Sequence, residues 1–228
     1  MKKISVSCII PAYNEGERIA RVLDAVVGNP DVSEIIVVDD GARDRTLEIV
    51  RRYEGVTLVV HEKNKGKSAA ICTGIERATG EYLLFLDADL IGLTSDDVSR
   101  LVESVVSGRA NISISYRGNS PRLWKIVGFD YISGERVMRR DFVAGHTDEI
   151  LALPRFGLEV FMNSLVVARR MSIAIVAWPN VESPFKSKKQ GVIKGALGDA
   201  KMMVDIFRTI NVFGLARQIM RMRSLRVK

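Results

Sequence analysis

The apolar run Tyr82-Leu83-Leu84-Phe85-Leu86 ends in two carboxylates two residues apart, Asp87-Ala88-Asp89. A strand this hydrophobic has to be covered on both faces, which points to a parallel sheet enclosed by helices. Its last residues then emerge at the rim of the sheet, where open α/β folds bind ligands. Two hard oxygen ligands at that rim suit Mg²⁺ or Mn²⁺, and a divalent ion suits a diphosphate. A lone D-x-D is more often a solvated or helix-capping pair. A second acidic strand end, Ile35-Ile36-Val37-Val38-Asp39-Asp40-Gly41, turns the reading toward a site.

Strand and helix signals alternate through residues 1–116. Apolar runs predict strands over Ile4–Ile10, Glu34–Val38, Val56–Val60, Tyr82–Leu86 and Ala110–Tyr116. Helical spacing predicts helices over Glu15–Val27, Asp44–Arg52, Gly66–Ala78 and Ser95–Ser107. Asn14 is the candidate N-cap of the first helix, and Thr94, Ser95, Asp96 and Asp97 open the fourth. Repeated βα units imply an α/β fold, a mostly parallel sheet flanked by helices. Beyond Tyr116 the pattern loosens: a turn at Gly118–Pro121, a mixed and partly helical stretch at Leu123–Arg140, a helix at Glu159–Arg170 and a strand at Met171–Ala177. A polar loop, Glu182–Gly191, leads into amphipathic C-terminal helices, so the expected division is a body of 1–191 and an extension of 192–228.

A chain of 228 residues buries one substantial core. Two cysteines, Cys8 and Cys72, form no disulfide framework, and two histidines cannot complete a Cys/His zinc cluster. Met1-Lys2-Lys3 runs straight into a strand, so no leader peptide is expected, and the longest uncharged runs have eleven residues, too short to span a bilayer. A reducing, cytoplasmic setting fits. The net charge is +7, but residues 186–228 carry +9 and the rest −2. That asymmetry argues against a nucleic-acid binder and for a local anionic partner.

Tempting phosphate motifs fail. Gly66-Lys67-Ser68 resembles the end of a P-loop but lacks its glycine cradle, and Pro11-Ala12-Tyr13-Asn14-Glu15-Gly16 is no G-x-G-x-x-G. The first strand ends in Ile-Pro, without the nucleophilic aspartate of a dehalogenase-type phosphatase.

What remains is a set of strand-end loops on one edge: Pro11–Glu15, Asp39–Asp44, Lys63–Lys67 and Asp87–Asp89. Ser7–Glu15, Val37–Thr46, Asn64–Lys67, Ala78–Tyr82 and Asp87–Leu90 resemble, in order and spacing, the family-2 glycosyltransferases of the GT-A fold. Ser115-Tyr116-Arg117 and Ser133-Gly134-Glu135-Arg136 are similar to the dolichol-phosphate mannose synthase group, while Glu135-Arg136-Val137 and Phe156-Gly157-Leu158-Glu159 are similar to glucosyl-3-phosphoglycerate synthases. The resemblance implies a UDP- or GDP-sugar donor and Mg²⁺ or Mn²⁺, with Asp89 as direct ligand and Asp87 as partner to ribose or to the metal through water. It implies that Pro11, Ala12, Tyr13, Glu15 and Asp39 hold base and ribose, that Asp40 and Ala88 complete the nucleotide-sugar wall, and that Lys67 faces the diphosphate. Three departures stand out: Ala42 replaces the usual serine after D-D-G, Ile91 replaces a frequent glutamine, and Glu182–Gly191 contains no histidine to ligate metal.

The acceptor decides the remaining chemistry. A hydroxyl must lose a proton, for which Asp130, Glu135 and Glu159 are candidates. A phosphate monoester is already largely dianionic near neutral pH and needs cationic clamps instead. Arg117 and Arg136 are the candidate clamps, joined by Lys186 and Lys188 in a lid-like loop; Arg139 and Arg140 read as a solvated face. The catalytic set is then Asp89, Arg117, Arg136 and Glu159. Met202, Met203, Ile206, Phe207, Ile210, Phe213, Leu215, Ile219 and Met222, set among arginines, read either as an interfacial membrane element or as a helix packed on the body or on a second copy. The favoured acceptor is a polyprenyl phosphate at the cytoplasmic membrane face. The alternatives are a small soluble phosphorylated acceptor such as 3-phosphoglycerate, and a non-catalytic nucleotide-sugar-binding scaffold.

Overall fold

Alternate side chains of β1 (Val6–Ala12) enter two different cores, and this divides the molecule. Ile9 joins Ile36, Val38, Ile71, Ile75, Leu83 and Phe85 on one face of the sheet. Cys8 and Ile10 join Ile19, Leu23, Val37, Leu84, Val98 and Leu101 on the other. The computed structural model describes residues 4–153, 157–184, 207 and 210–227.

The other strands are β2 (Glu34–Asp39), β3 (Val56–Val60), β4 (Tyr82–Phe85), β5 (Ile112–Arg117), β6 (Arg136–Arg139) and β7 (Ile173–Trp178). They form one seven-stranded sheet in the order β3-β2-β1-β4-β6-β5-β7. β6 is antiparallel to both neighbours; the other pairings are parallel. The helices are α1 (Ile19–Val26), α2 (Thr46–Val50), α3 (Lys67–Arg77), α4 (Ser95–Val106), α5 (Arg122–Val127), α6 (Thr147–Leu151), α7 (Gly157–Ala168) and α8 (Val212–Ser224). α1 and α4 cover one face, α3, α7 and α8 the other.

Two local expectations need correction. Asn14 does not cap α1: its φ is 56°, its side chain accepts from the Arg43 N–H at 2.8 Å, and a turn on the Glu15 carbonyl delays the helix to Ile19. The mixed stretch before Arg140 holds a central strand, β6, whose four residues begin and end in arginine and give no alternation to read. Thr94 forms a capping box with Asp97 at the start of α4, as its spacing predicts.

The boundary expected near residue 191 lies outside the described residues. α8 packs against α7 through Leu215, Gln218 and Met222, and Ile210, Ile219 and Leu225 rest on the same core. The chain end then lies beside β7, where Ile173 donates to the Leu225 carbonyl and accepts from the Val227 N–H. No helix is long and apolar enough to cross a membrane among the described residues.

Candidate active site

The parallel register brings the carboxyl ends of β1, β2 and β4 to one rim. Ala12 pairs with Asp39, and the Asp40 N–H donates to the Ala12 carbonyl. A cleft of about 470 Å³ opens there, lined by Pro11, Ala12, Tyr13, Glu15, Asp40, Asn64, Gly66, Lys67, Ala70, Asp87, Ala88 and Asp89. Tyr13 stands 43% exposed at its mouth.

The β1–α1 loop is held from below by the loop after β2. Asp44 Oδ2 accepts from Gly16 N–H at 3.0 Å, and Thr46 Oγ1 accepts from Glu15 N–H at 2.9 Å. Burial raises the Asp44 carboxyl, but the Thr46 and Gly16 donors outweigh it and hold the group below the usual carboxylate range. The turn tolerates Ala42 because Asp39 Oδ1 closes it by accepting from the Ala42 N–H at 3.2 Å. Asp39 is buried beneath the cleft rather than lining it, and burial raises its pKa. Asp40 borders the cleft, but its carboxylate is committed to the Lys65 and Gly66 N–H groups and to His61.

Also lining the cleft, Lys67 Nζ lies 2.8 Å from Asp87 Oδ1 and 3.2 Å from Glu159 Oε1. Burial lowers the ammonium, but Asp87 and Glu159 more than offset it and keep Lys67 charged. Burial likewise raises Asp87, and the Lys67 ammonium overrides it, holding Asp87 ionised. Gly134 makes room for this pair: a Cβ there would stand 2.9 Å from Lys67 Nζ and 3.0 Å from Asp87 Oδ1. Asp89 is half-buried, with the Ser183 hydroxyl 3.4 Å from its Oδ1. Ile91 and Glu182 exchange backbone hydrogen bonds, so the exit of β7 is tied to the Asp87–Asp89 loop. Ser183 carries no sequence signal for its contact, which depends on non-local pairing, and Gly134 is marked in the sequence only as part of the Ser133–Arg136 motif.

Behind the cleft lies a buried ionic layer. Arg117 bridges Asp130 at 3.0 Å and Glu135 at 3.1 Å; Ser115 and Ser133 donate to Glu135, and Ser120 donates to Asp130. Burial lowers the Arg117 guanidinium, and the two carboxylates more than restore it. Arg136 is fully buried and donates to Asn163 and to the Ser133 carbonyl; burial lowers its pKa. Carboxylates hold the two terminal nitrogens of Arg117, and Asn163 and the Ser133 carbonyl hold those of Arg136, while the Nε of each is buried without a partner. Asp130 and Glu135 are similarly committed, leaving Glu159, paired with Lys67, as the candidate base nearest the cleft. Lys186 and Lys188 lie outside the described residues.

The donor set fits a divalent cation in part. Among the described residues no three His, Cys, Asp or Glu side chains cluster to enclose a metal. Asp87 and Asp89 on one short loop at the open cleft are instead hard oxygen donors of the kind that would hold a Mg²⁺-type ion.

Among similar proteins, a dolichyl-phosphate beta-glucosyltransferase of Trichomonas vaginalis is 32% identical over 57% of this chain and 45% of its own length. A second from the same organism is 28% identical over 92% of this chain and 76% of its own. An undecaprenyl-phosphate 4-deoxy-4-formamido-L-arabinose transferase of Pseudomonas aeruginosa is 37% identical over 45% of this chain and 33% of its own. The structure of glucosyl-3-phosphoglycerate synthase from Mycobacterium tuberculosis in complex with Mn²⁺, uridine diphosphate and phosphoglyceric acid superposes with a TM-score of 0.70 at 20% identity, covering 92% of this chain and 79% of that one. That likeness establishes the fold, which is GT-A. The sequence model described as glycosyl transferase family 2 matches residues 7–144, more than half of the chain, and the protein belongs to that family.

Proposed function

We propose that this chain is a metal-dependent glycosyltransferase that moves a sugar from a nucleoside-diphosphate donor to a polyprenyl phosphate at a membrane surface. The observation that carries the reading is the cleft at the ends of β1, β2 and β4, lined by Tyr13, Lys67, Asp87 and Asp89. Tyr13, Pro11 and Ala12 would hold base and ribose, with Asp39 shaping the floor. Asp89, with Asp87 beside it, would hold Mg²⁺ or Mn²⁺, whose chemistry is to neutralise charge on the departing diphosphate. Lys67, kept cationic by its two carboxylates, offers a second positive charge to the same diphosphate.

An acceptor phosphate needs no base. Its oxygen attacks the anomeric carbon while the bond from that carbon to the β-phosphate oxygen breaks, and the electron pair leaves with the nucleoside diphosphate. The named relatives that act on dolichyl or undecaprenyl phosphate support a lipid acceptor. So does the outer face of α8, where Phe213 (88% exposed) and Met220 (64% exposed) stand among Arg217, Arg221 and Arg223. A small soluble phosphorylated acceptor is the second reading, favoured by the structural neighbour bound to phosphoglyceric acid.

The test is donor hydrolysis and transfer with Mn²⁺, using a panel of UDP- and GDP-sugars and short-chain polyprenyl phosphate. Turnover is expected to fall by about a hundredfold or more in Asp89→Ala with the fold intact. Nucleotide binding with no turnover on any acceptor would leave a binding scaffold, and transfer to phosphoglycerate alone would establish the soluble reading.

A further inference from the structure

Beneath the cleft, a buried histidine takes no part in the chemistry above. His61 and Asp40 have side chains 6% and 4% exposed, and His61 Nδ1 lies 2.8 Å from Asp40 Oδ1. A carboxylate only accepts, so Nδ1 carries the proton; in the neutral ring Nε2 then accepts from the Thr73 hydroxyl, 3.0 Å away in α3. The same Asp40 carboxylate accepts from Lys65 N–H at 2.9 Å and Gly66 N–H at 2.7 Å. Those two amides form the turn into α3, Gly66 has a φ of 95° that only glycine adopts readily, and the next residue is Lys67.

Carboxylate, imidazole and hydroxyl in that order also activate nucleophiles in hydrolases. Here the hydroxyl belongs to the interior of α3, where neighbouring backbone N–H groups are engaged in the helix and form no oxyanion cradle. The assembly positions; it does not react. Its imidazole is braced at both ends, just past β2 through Asp40 and at α3 through Thr73, and it fixes the rotamer of the carboxylate that closes the turn.

We propose that His61 is a positioning residue for the Lys67 wall of the cleft: by pinning Asp40 over the Lys65–Gly66 turn, it sets where the Lys67 ammonium stands against Asp87 and how a diphosphate is gripped. The grip rests on the donor-site reading given above; the turn itself does not.

Two measurements on the full chain separate these parts. Amide hydrogen exchange over residues 62–68 is expected to quicken about tenfold or more in His61→Phe, which keeps a flat ring but no donor, and to return near wild type in His61→Asn, which restores an N–H toward Asp40. Calorimetric Kd for UDP and GDP with Mn²⁺ is expected to weaken about tenfold in His61→Phe and recover in His61→Asn, a rescue that loss of ring packing alone would not produce. A folded His61→Phe protein with wild-type amide protection and unchanged nucleotide Kd overturns the proposal. Where His61→Phe does not fold, Thr73→Val removes only the outer brace; a threefold weaker Kd with faster exchange supports the proposal, and no change in either overturns it. Quickened exchange with no nucleotide binding even in wild type would overturn the donor-site reading and the grip together.

Discussion

Lys67 Nζ stands between Asp87 Oδ1 and Glu159 Oε1, at 2.8 Å and 3.2 Å, and so joins the end of β4 to the first turn of α7 across the cleft wall. The ammonium is the positive member of a group with two carboxylates. Lys67→Met is therefore expected to weaken nucleoside-diphosphate binding about tenfold or more. Taking the ammonium from each partly buried carboxylate costs about 1–3 kcal/mol of stability per carboxylate. Calorimetry with UDP or GDP and a thermal melt check the two effects separately.

Glu135 lies deeper, accepting from Arg117, Ser115 and Ser133 with its side chain fully buried. Glu135→Gln removes the charge opposite a buried guanidinium. Breaking one side of such a pair costs about 3–5 kcal/mol, which in a chain of this size lowers Tm by roughly 6–20 °C. A scan showing less than 2 °C of loss would mean that Asp130 alone satisfies Arg117.

The pH dependence of stability follows from the signs of the shifts. Asp44 and Asp87 have folded pKa values below their unfolded ones, so their contribution is present above about pH 3.9 and lost as pH falls through the folded values. Lys67 is raised, so its contribution is complete below about pH 10.4 and lost as pH rises through the higher folded value. Melting temperature should be level, as far as these groups decide it, between about pH 5 and 9 and fall on the acid side; in Asp44→Asn the acid limb should begin lower and be shallower.

The outer face of α8 predicts adsorption to anionic bilayers. Each basic residue near such a surface contributes about 1 kcal/mol, and Arg217, Arg221 and Arg223 flank the exposed Phe213 and Met220. Co-sedimentation with phosphatidylglycerol vesicles should exceed that with phosphatidylcholine and drop at least fivefold in Phe213→Ser/Met220→Ser, with nucleotide Kd unchanged. Equal sedimentation of variant and wild type would favour the soluble acceptor.

The parallel half of the fold was legible because its strands are long apolar runs whose ends carry Pro11, Asp39, Asp40, Asp87 and Asp89. Those residues do gather at one rim, apart from Asp39, which burial withdraws below the cleft. The other half was obscure for a physical reason. β6 is short and begins with an arginine that pairs with Asn163 from a helix 27 residues away, so neither periodicity nor composition marks it as central. Of its two arginines, Arg139 is exposed, as a solvated face requires, while Arg136 is buried, and nothing local in the sequence tells the two apart. His61 carries no signal of its role in the sequence, because its partners Asp40 and Thr73 lie 21 and 12 residues away on other elements.

The two margins of the sheet are finished differently. Beside β7, Ile173 is paired with the chain end and the Ala177 carbonyl accepts from Arg100, whereas β3 has no strand on its outer side among the described residues. An open margin is a template for another copy, and a closed one is not. Among the described residues, the backbone along β3 is therefore the side of the sheet at which a further strand can add, whereas at β7 the Ile173 backbone is already engaged.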